Sequence, residues 1–294
     1  MALNSSACFR VDLLPQRLLN QQNSFSGRRG NPTSIRVSIL ASGSGGNSTL
    51  VESGRTRLLV DAGLGKRELR KRLARAGIEL DHLDGILISH EHTDHLSGLP
   101  VLSREFRATV YLTGATREHL PWHEPLERVE IIRAGEPFPV GEIEVTPFSI
   151  PHDAADPVAF AFGAEGMKLA LVTDIGYLPA LVKEHVRDCD CLIIESNHDL
   201  EMLKLGPYPW FVKQRVMSRL GHLSNHSLAE FLSEEFDCRP RYLVLAHLSE
   251  NNNHPEIARM AALDGLARRA ATGTPFAGEL LISSQRHPLG PILL

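Results

Sequence analysis

Six consecutive residues, His90-Glu91-His92-Thr93-Asp94-His95, gather three imidazoles and the Asp94 carboxylate directly after the apolar run Gly85 to Ser89. Imidazole nitrogen and carboxylate oxygen together suit zinc and related divalent cations. A helix could not aim His90 and His92 the same way, because positions i and i+2 on it diverge by about 200°. A tight loop entering a helix can, so these four donors are able to wrap round two ions. A site of that kind also needs ligands from distant segments. Three candidates stand at the ends of expected strands: His152 after Glu142 to Ser149 and a proline, Asp174 after Met167 to Thr173, and His247 after Tyr242 to Ala246.

The elements that must hold these side chains read as alternating strands and helices. Strands are expected at Arg36 to Leu40, Leu50 to Glu52, Arg57 to Val60, Gly85 to Ser89, Thr109 to Thr113 and Val129 to Arg133. More follow at Glu142 to Ser149, Val158 to Gly163, Met167 to Thr173, Cys191 to Glu195 and Tyr242 to Ala246, with Glu279 to Ile282 as the last. Ala-Glu-Gly between two of them reads as a hairpin turn. Helices are expected at Lys66 to Ala76, Thr93 to Phe106, Leu178 to Arg187, Trp210 to Leu220, Ser227 to Phe236 and Pro255 to Ala271. Residues 35 to 294 thus read as one α/β domain. Residues 1 to 34, rich in Asn, Gln, Ser and Arg with the single acid Asp12, read as a disordered extension.

The 294 residues suffice for a sizeable core, and 43% hydrophobic with 22% charged residues excludes wholesale disorder or a collagen-like repeat. No stretch approaches the roughly 18 to 20 apolar residues of a membrane span. Lys and Arg total 31 against 35 for Asp and Glu, so the net charge of −4 excludes coating of nucleic acid by bulk electrostatics. Cys8, Cys189, Cys191 and Cys238 have no Cys-x-x-Cys spacing and read as reduced packing thiols of a cytoplasmic protein, with Cys189 and Cys191 expected on one strand face.

Together with Asp61 in Val-Asp-Ala-Gly, the cluster His90 to His95, His152, Asp174 and His247 resembles the five motifs of the metallo-β-lactamase superfamily. The resemblance implies an αββα sandwich, two mixed sheets flanked by helices, and two divalent ions, Zn²⁺ or Mn²⁺. It assigns His90, His92 and His152 to one ion and Asp94, His95 and His247 to the other, with Asp174 bridging and Asp61 orienting a ligand. Three further segments, Leu40 to Asn47, Gly221 to Asn225 and His247 to Asn253, look like the YycJ-like (WalJ) branch. That branch implies a cytoplasmic 5′-to-3′ DNA exonuclease and a role in DNA repair.

Two metals about 3.5 to 4 Å apart can share a hydroxide and clamp both oxygens of a phosphodiester displacement. Asp94 is the candidate to orient that hydroxide, and His222 to protonate the leaving oxygen or hold a phosphate oxygen. Ser42, Ser44 and Asn47 on the glycine-rich loop, Ser224 and Asn225, and Ser249, Asn252 and Asn253 after His247 are candidate substrate contacts, although turns and helix caps use the same residues. The basic run Lys66, Arg67, Arg70, Lys71, Arg72 and Arg75 can track a nucleic-acid backbone or form a solvated face. Trp122, Trp210 and Phe211 can stack on bases or pack. Other functions remain open: a small-molecule metallohydrolase acting on a lactone, thioester or β-lactam, a di-iron redox protein, or a non-catalytic scaffold. Oligomeric state is not readable.

Overall fold

The computed structural model describes residues 35–122 and 125–294. The expected extension at 1 to 34, and Cys8 with it, lies outside them. The strands are β1 (Ile35–Ala41), β2 (Ser48–Ser53), β3 (Thr56–Val60), β4 (Gly85–Leu87), β5 (Thr109–Thr113), β6 (Val129–Ile132), β7 (Phe138–Val140), β8 (Ile143–Ser149), β9 (Val158–Ala164), β10 (Met167–Val172), β11 (Cys191–Glu195), β12 (Tyr242–Ala246), β13 (Glu279–Ile282) and β14 (Leu289–Leu293). They form two seven-stranded sheets, ordered β14-β1-β2-β3-β4-β5-β6 and β13-β12-β11-β10-β9-β8-β7. Both are mixed. In the first, β3 to β6 run parallel. In the second, β10 to β13 run parallel, and β8, antiparallel to β9 as β9 is to β10, shares their direction.

Alternation along the strands explains the layering, since successive side chains point to opposite faces. Val37, Val51, Leu58 and Val60 meet Val145, Phe160, Leu169, Ile193 and Val244 between the sheets. The outward residues Leu59, Ile86 and Val110 pack on α1 (Lys66–Arg75) through Leu69 and Leu73. A short α2 (Thr93–Leu96) leads into α3 (Leu99–Phe106), whose Leu99 and Leu102 complete that layer. On the far side, Ala170, Leu192, Ile194 and Leu243 pack against α5 (Ala180–Val186), α8 (Asn225–Glu234) and α9 (Pro255–Ala271). The result is the expected αββα sandwich. Smaller helices are α4 (Gly114–Glu118), α6 (Leu200–Leu205) and α7 (Trp210–Val216).

Four sequence expectations require correction. The helix expected over Thr93 to Phe106 breaks at Gly98, whose N–H donates to the Ala62 carbonyl at 2.7 Å; a Cβ there would sit 2.0 Å from the Leu64 carbonyl oxygen. The last strand is β14, not β13: it lies at an edge beside β1, where the Pro288 and Pro291 that mask it in sequence are tolerated. Cys189 precedes β11 and sits in the helix-side core, whereas Cys191 faces the inter-sheet core, so the two thiols share no face. The helix expected to start at Ser227 starts two residues earlier as α8, with Ser224 as its N-cap, whose Oγ accepts the Ser227 N–H at 3.0 Å.

Candidate metal centre

Because β3, β4, β8, β10, β11 and β12 point the same way within their sheets, their carboxyl ends deliver Asp61, Ser89 and His90, His152, Asp174, Glu195 and His247 to one end of the sandwich. Asp61, Asp174 and His247 each turn the chain with a left-handed φ, of 59°, 57° and 55°. Asp and His tolerate that conformation better than most residues, and its cost is retained where a site over-determines the backbone. Gly63 is required for contact: its added Cβ would fall 1.7 Å from the Asp94 carbonyl oxygen, where the loop after β3 lies flat against the histidine loop.

Three imidazole nitrogens converge. His90 Nε2 is 3.0 Å from His92 Nδ1, and His152 Nε2 is 3.3 Å from the same atom. The outer nitrogens are otherwise engaged: His90 Nδ1 lies 3.0 Å from Ser89 Oγ, and His152 Nδ1 lies 3.2 Å from the Gly221 carbonyl oxygen, to which it donates. Beside this trio, His95 Nε2 lies 3.4 Å from both Asp94 Oδ2 and Asp174 Oδ2, and His247 Nδ1 lies 3.2 Å from Asp174 Oδ1. Asp174 Oδ1 also lies 4.0 Å from His152 Nε2 of the trio, so this carboxylate stands between both groups of ligand candidates.

Two buried carboxylates stand behind the imidazoles. Asp61 accepts His95 Nδ1–H at 2.8 Å and also the Ser89 N–H at 2.9 Å, which directs His95 Nε2 toward Asp94 and Asp174. Glu195, not singled out in the sequence, lies 2.8 Å from His222 Nδ1 and 2.9 Å from His247 Nδ1, and accepts the Ile175 N–H at 2.7 Å. Burial would raise its pKa, but His222 and His247 outweigh that and lower it to about 2. An ionised carboxylate only accepts, so both histidines carry their proton on Nδ1.

Burial likewise opposes protonation of His247 and His95. Asp174 and Glu195 nonetheless raise His247 to about 9, and Asp61 with Asp174 holds His95 well above the usual imidazole range. His90, with burial dominant and His95 adding repulsion, is held well below it. These carboxylates demand positive charge, which protons or divalent ions can supply. Asp174 Oδ2 and His247 Nε2 are buried without hydrogen-bond partners among the described residues. Unpartnered buried polar atoms and three facing nitrogens fit a cation site, because a bare polar atom in a dry interior is costly.

The centre floors a cleft of about 190 Å³ lined by Ser44, His92, Asp94, Asp174, His222, His247, Ser249 and Asn252 among the expected residues. Asn197, Tyr208, Arg215 and Val216 complete its wall, and no motif in the sequence marked them. The remaining candidates lie behind it. Ser42 Oγ accepts the His247 N–H at 2.8 Å, and Asn47 donates to Asp94 Oδ2 at 3.1 Å, so both position site residues. Asn225 and Asn253 bind each other at 2.8 Å, with Asn225 also accepting from Ser196 Oγ and Asn253 donating to the Ser196 and Asn197 carbonyls, and Ser224 caps α8. Those three sit outside the cleft because their polar atoms complete the backbone of the loops around it. Of the α1 cations, Lys66 and Arg70 pair with Glu105 of α3, Lys71 and Arg72 pair with Glu68, and Arg72 also donates to the Leu40 carbonyl, so four of the six are neutralised by neighbouring carboxylates. Trp122 packs on the first sheet's outer layer, whereas Trp210 and Phe211 are exposed.

Comparison with known proteins agrees with this architecture. The family model described as a beta-lactamase superfamily domain matches residues 56–248, well over half of the chain. The chain is 39% identical over 230 residues to exodeoxyribonuclease YycJ of Bacillus anthracis, covering 77% of this chain and 87% of that protein. It is 37% identical over 239 residues to exodeoxyribonuclease WalJ of Streptococcus pneumoniae, covering 80% and 89%. In fold it is similar to the metallo-beta-lactamase fold protein YhfI of Bacillus subtilis, with a TM-score of 0.64 at 19% identity over 87% of this chain and 99% of that one. The chain belongs to the metallo-β-lactamase superfamily of metal-dependent hydrolases, in the branch of the YycJ and WalJ exodeoxyribonucleases.

Proposed function

We propose that this protein is a phosphodiesterase that removes nucleotides from the 5′ end of DNA. The observation that carries the reading is the convergence of imidazoles and carboxylates on Asp174 at the floor of an open cleft, in a chain whose relatives of 37 to 39% identity are named exodeoxyribonucleases. His90, His92 and His152 would hold one divalent ion, and Asp94, His95 and His247 a second, with Asp174 shared; zinc or manganese suits these donors. The ions would supply a nucleophile at neutral pH and neutralise phosphate charge.

The chain's own residues do the rest. Asp94, fixed by Asn47, orients the attacking water. His222 lines the cleft with Nδ1 tied to Glu195, which leaves Nε2 to protonate the departing oxygen. Ser44, Ser249 and Asn252 offer neutral donors to phosphate or sugar without competing for the cations. The free thiols Cys189, Cys191 and Cys238 suit a reducing cytoplasm, and the exonuclease reading suits a role in DNA repair. No described helix is long and apolar enough to cross a membrane.

The test is incubation of the pure protein with 5′-phosphorylated, 3′-labelled DNA and Mn²⁺ or Zn²⁺, comparing wild type with Asp94→Ala. Stepwise shortening from the 5′ end by the wild type alone supports the reading. Equal degradation by both would assign the activity to a contaminant. Hydrolysis of a thioester, lactone or β-lactam with DNA untouched would select the small-molecule hydrolase instead.

A further inference from the structure

The glycine-rich loop between β1 and β2 is shaped by a residue that no motif marked. An added Cβ at Gly43, where φ is 143°, would lie 2.5 Å from Gln285 Oε1, and one at Gly45 would lie 3.1 Å from Gln285 Cδ. The loop therefore lies flat against this side chain. Gln285 Oε1 accepts the Gly45 N–H at 2.8 Å, and its Nε2 donates to the Gly46 carbonyl at 3.3 Å. Gln285 follows β13, 240 residues along the chain from Gly45, and its own carbonyl accepts Arg72 Nη1–H at 2.5 Å. Buried Arg72 also donates to the Leu40 carbonyl, so the guanidinium fastens this segment to β1.

Of the five amides from Gly43 to Asn47, four donate within the protein: Gly43 to Asn47 Oδ1 at 2.9 Å, Gly45 to Gln285, Gly46 to the Gly43 carbonyl at 3.0 Å and Asn47 to the Asp94 carbonyl at 2.8 Å. The loop is thus not a ring of free N–H groups. Ser44 alone keeps its N–H, and its hydroxyl too has no partner among the described residues. Ser44 is exposed and lines the cleft together with His92 and Asp94. Both ends of the loop are pinned to the metal centre, Ser42 by the His247 N–H and Asn47 by Asp94 Oδ2. The glycines between them have the most backbone entropy to lose, and Gln285 supplies the hold from outside the loop.

We propose that Gln285 is a positioning residue for the phosphodiester: it fixes the glycine-rich loop so that Ser44 presents its hydroxyl and N–H to a non-bridging phosphate oxygen beside the metal centre. This deepens the proposed function and rests on it. An anionic oxygen accepts such bonds more strongly than a neutral one, and a donor without charge neither repels the cations nor competes with them. The gain depends on placement, because a donor displaced by about 1 Å loses much of its effect on a reacting group. Gln285 acts only through the loop and is absent from the cleft wall, whose residues include Ser44.

The experiment uses the full chain loaded with Zn²⁺ or Mn²⁺. Gln285→Met keeps the side chain's approximate volume and removes both of its hydrogen bonds to the loop. It should raise KM for DNA about tenfold with little change in kcat, and weaken calorimetric binding of inorganic phosphate by a similar factor. Cation affinity should stay at the wild-type value. Ser44→Ala, on an exposed loop, should weaken phosphate by a smaller factor, since its N–H survives, and it keeps the phosphate test available if Gln285→Met unfolds. The double variant should do little worse than Gln285→Met alone, because both changes act through one group. Wild-type phosphate affinity in either single variant, or penalties that multiply in the double variant, would overturn the assignment. So would a loss of cation affinity in Gln285→Met, which would place its effect on Asn47 and Asp94 instead. Failure of the wild type to cut any DNA would sink the proposed function separately, because the phosphate titration requires no turnover.

Discussion

Asp61 and Glu195 answer the same physical problem in the two sheets and differ in how they do it. Each is a buried carboxylate at the carboxyl end of a strand, and each fixes imidazole tautomers through Nδ1. Asp61 has a short side chain on a left-handed backbone and serves one imidazole, His95, with Ser89 as its other partner. Glu195 ends a regular strand, and its longer side chain reaches both His222 and His247. The first sheet's half of the site is thus a local loop steadied by one carboxylate. The other half is assembled from separate strand ends by a carboxylate that joins a ligand candidate to the candidate acid.

The largest test removes the group that both halves share. Asp174→Ala should abolish tight divalent-cation binding at both positions and lower kcat/KM by at least about 100-fold, since even groups behind the ligands are worth 10 to 100-fold. Cation titration calorimetry with steady-state kinetics checks it, and retention of either site would break the picture of one shared carboxylate.

Next comes the direct contrast between the two carboxylates. Glu195→Gln and Asp61→Asn should each cost about 10 to 100-fold on DNA. On bis-p-nitrophenyl phosphate, whose leaving group needs no proton, Glu195→Gln should cost less than on DNA, while Asp61→Asn should cost the same on both substrates. Equal penalties for both variants on both substrates would remove the distinction and leave His222 without a role in proton donation.

The smallest effect lies outside the centre. Asn225→Ala takes a partner from Ser196 and from Asn253. It should lower unfolding free energy by about 1 to 3 kcal/mol with cation affinity unchanged, as read from denaturant midpoints and a parallel titration.

The contrast between the carboxylates also explains what the sequence made legible. His90 to His95 is readable because its donors are contiguous, and Asp61 through the resemblance of Val-Asp-Ala-Gly to a superfamily motif. His152, Asp174 and His247 are readable as strand ends, whereas Glu195 has the look of an ordinary end to Cys-Leu-Ile-Ile, and only parallel pairing with β10 and β12 brings it to the histidines. Asn225 and Asn253 read in sequence as candidate substrate contacts. The fold turns them inward because the loop backbones need donors and acceptors. The period-2 and period-3.6 patterns located most elements, and β14 was missed because its prolines are compatible with a strand only at an edge.

Anomalous diffraction from crystals of the wild-type protein soaked in Zn²⁺ or Mn²⁺ should show two peaks flanking Asp174, one among His90, His92 and His152 and the other among Asp94, His95 and His247. A single peak, peaks away from these side chains, or no peak at saturating cation would contradict a two-ion centre shared by Asp174.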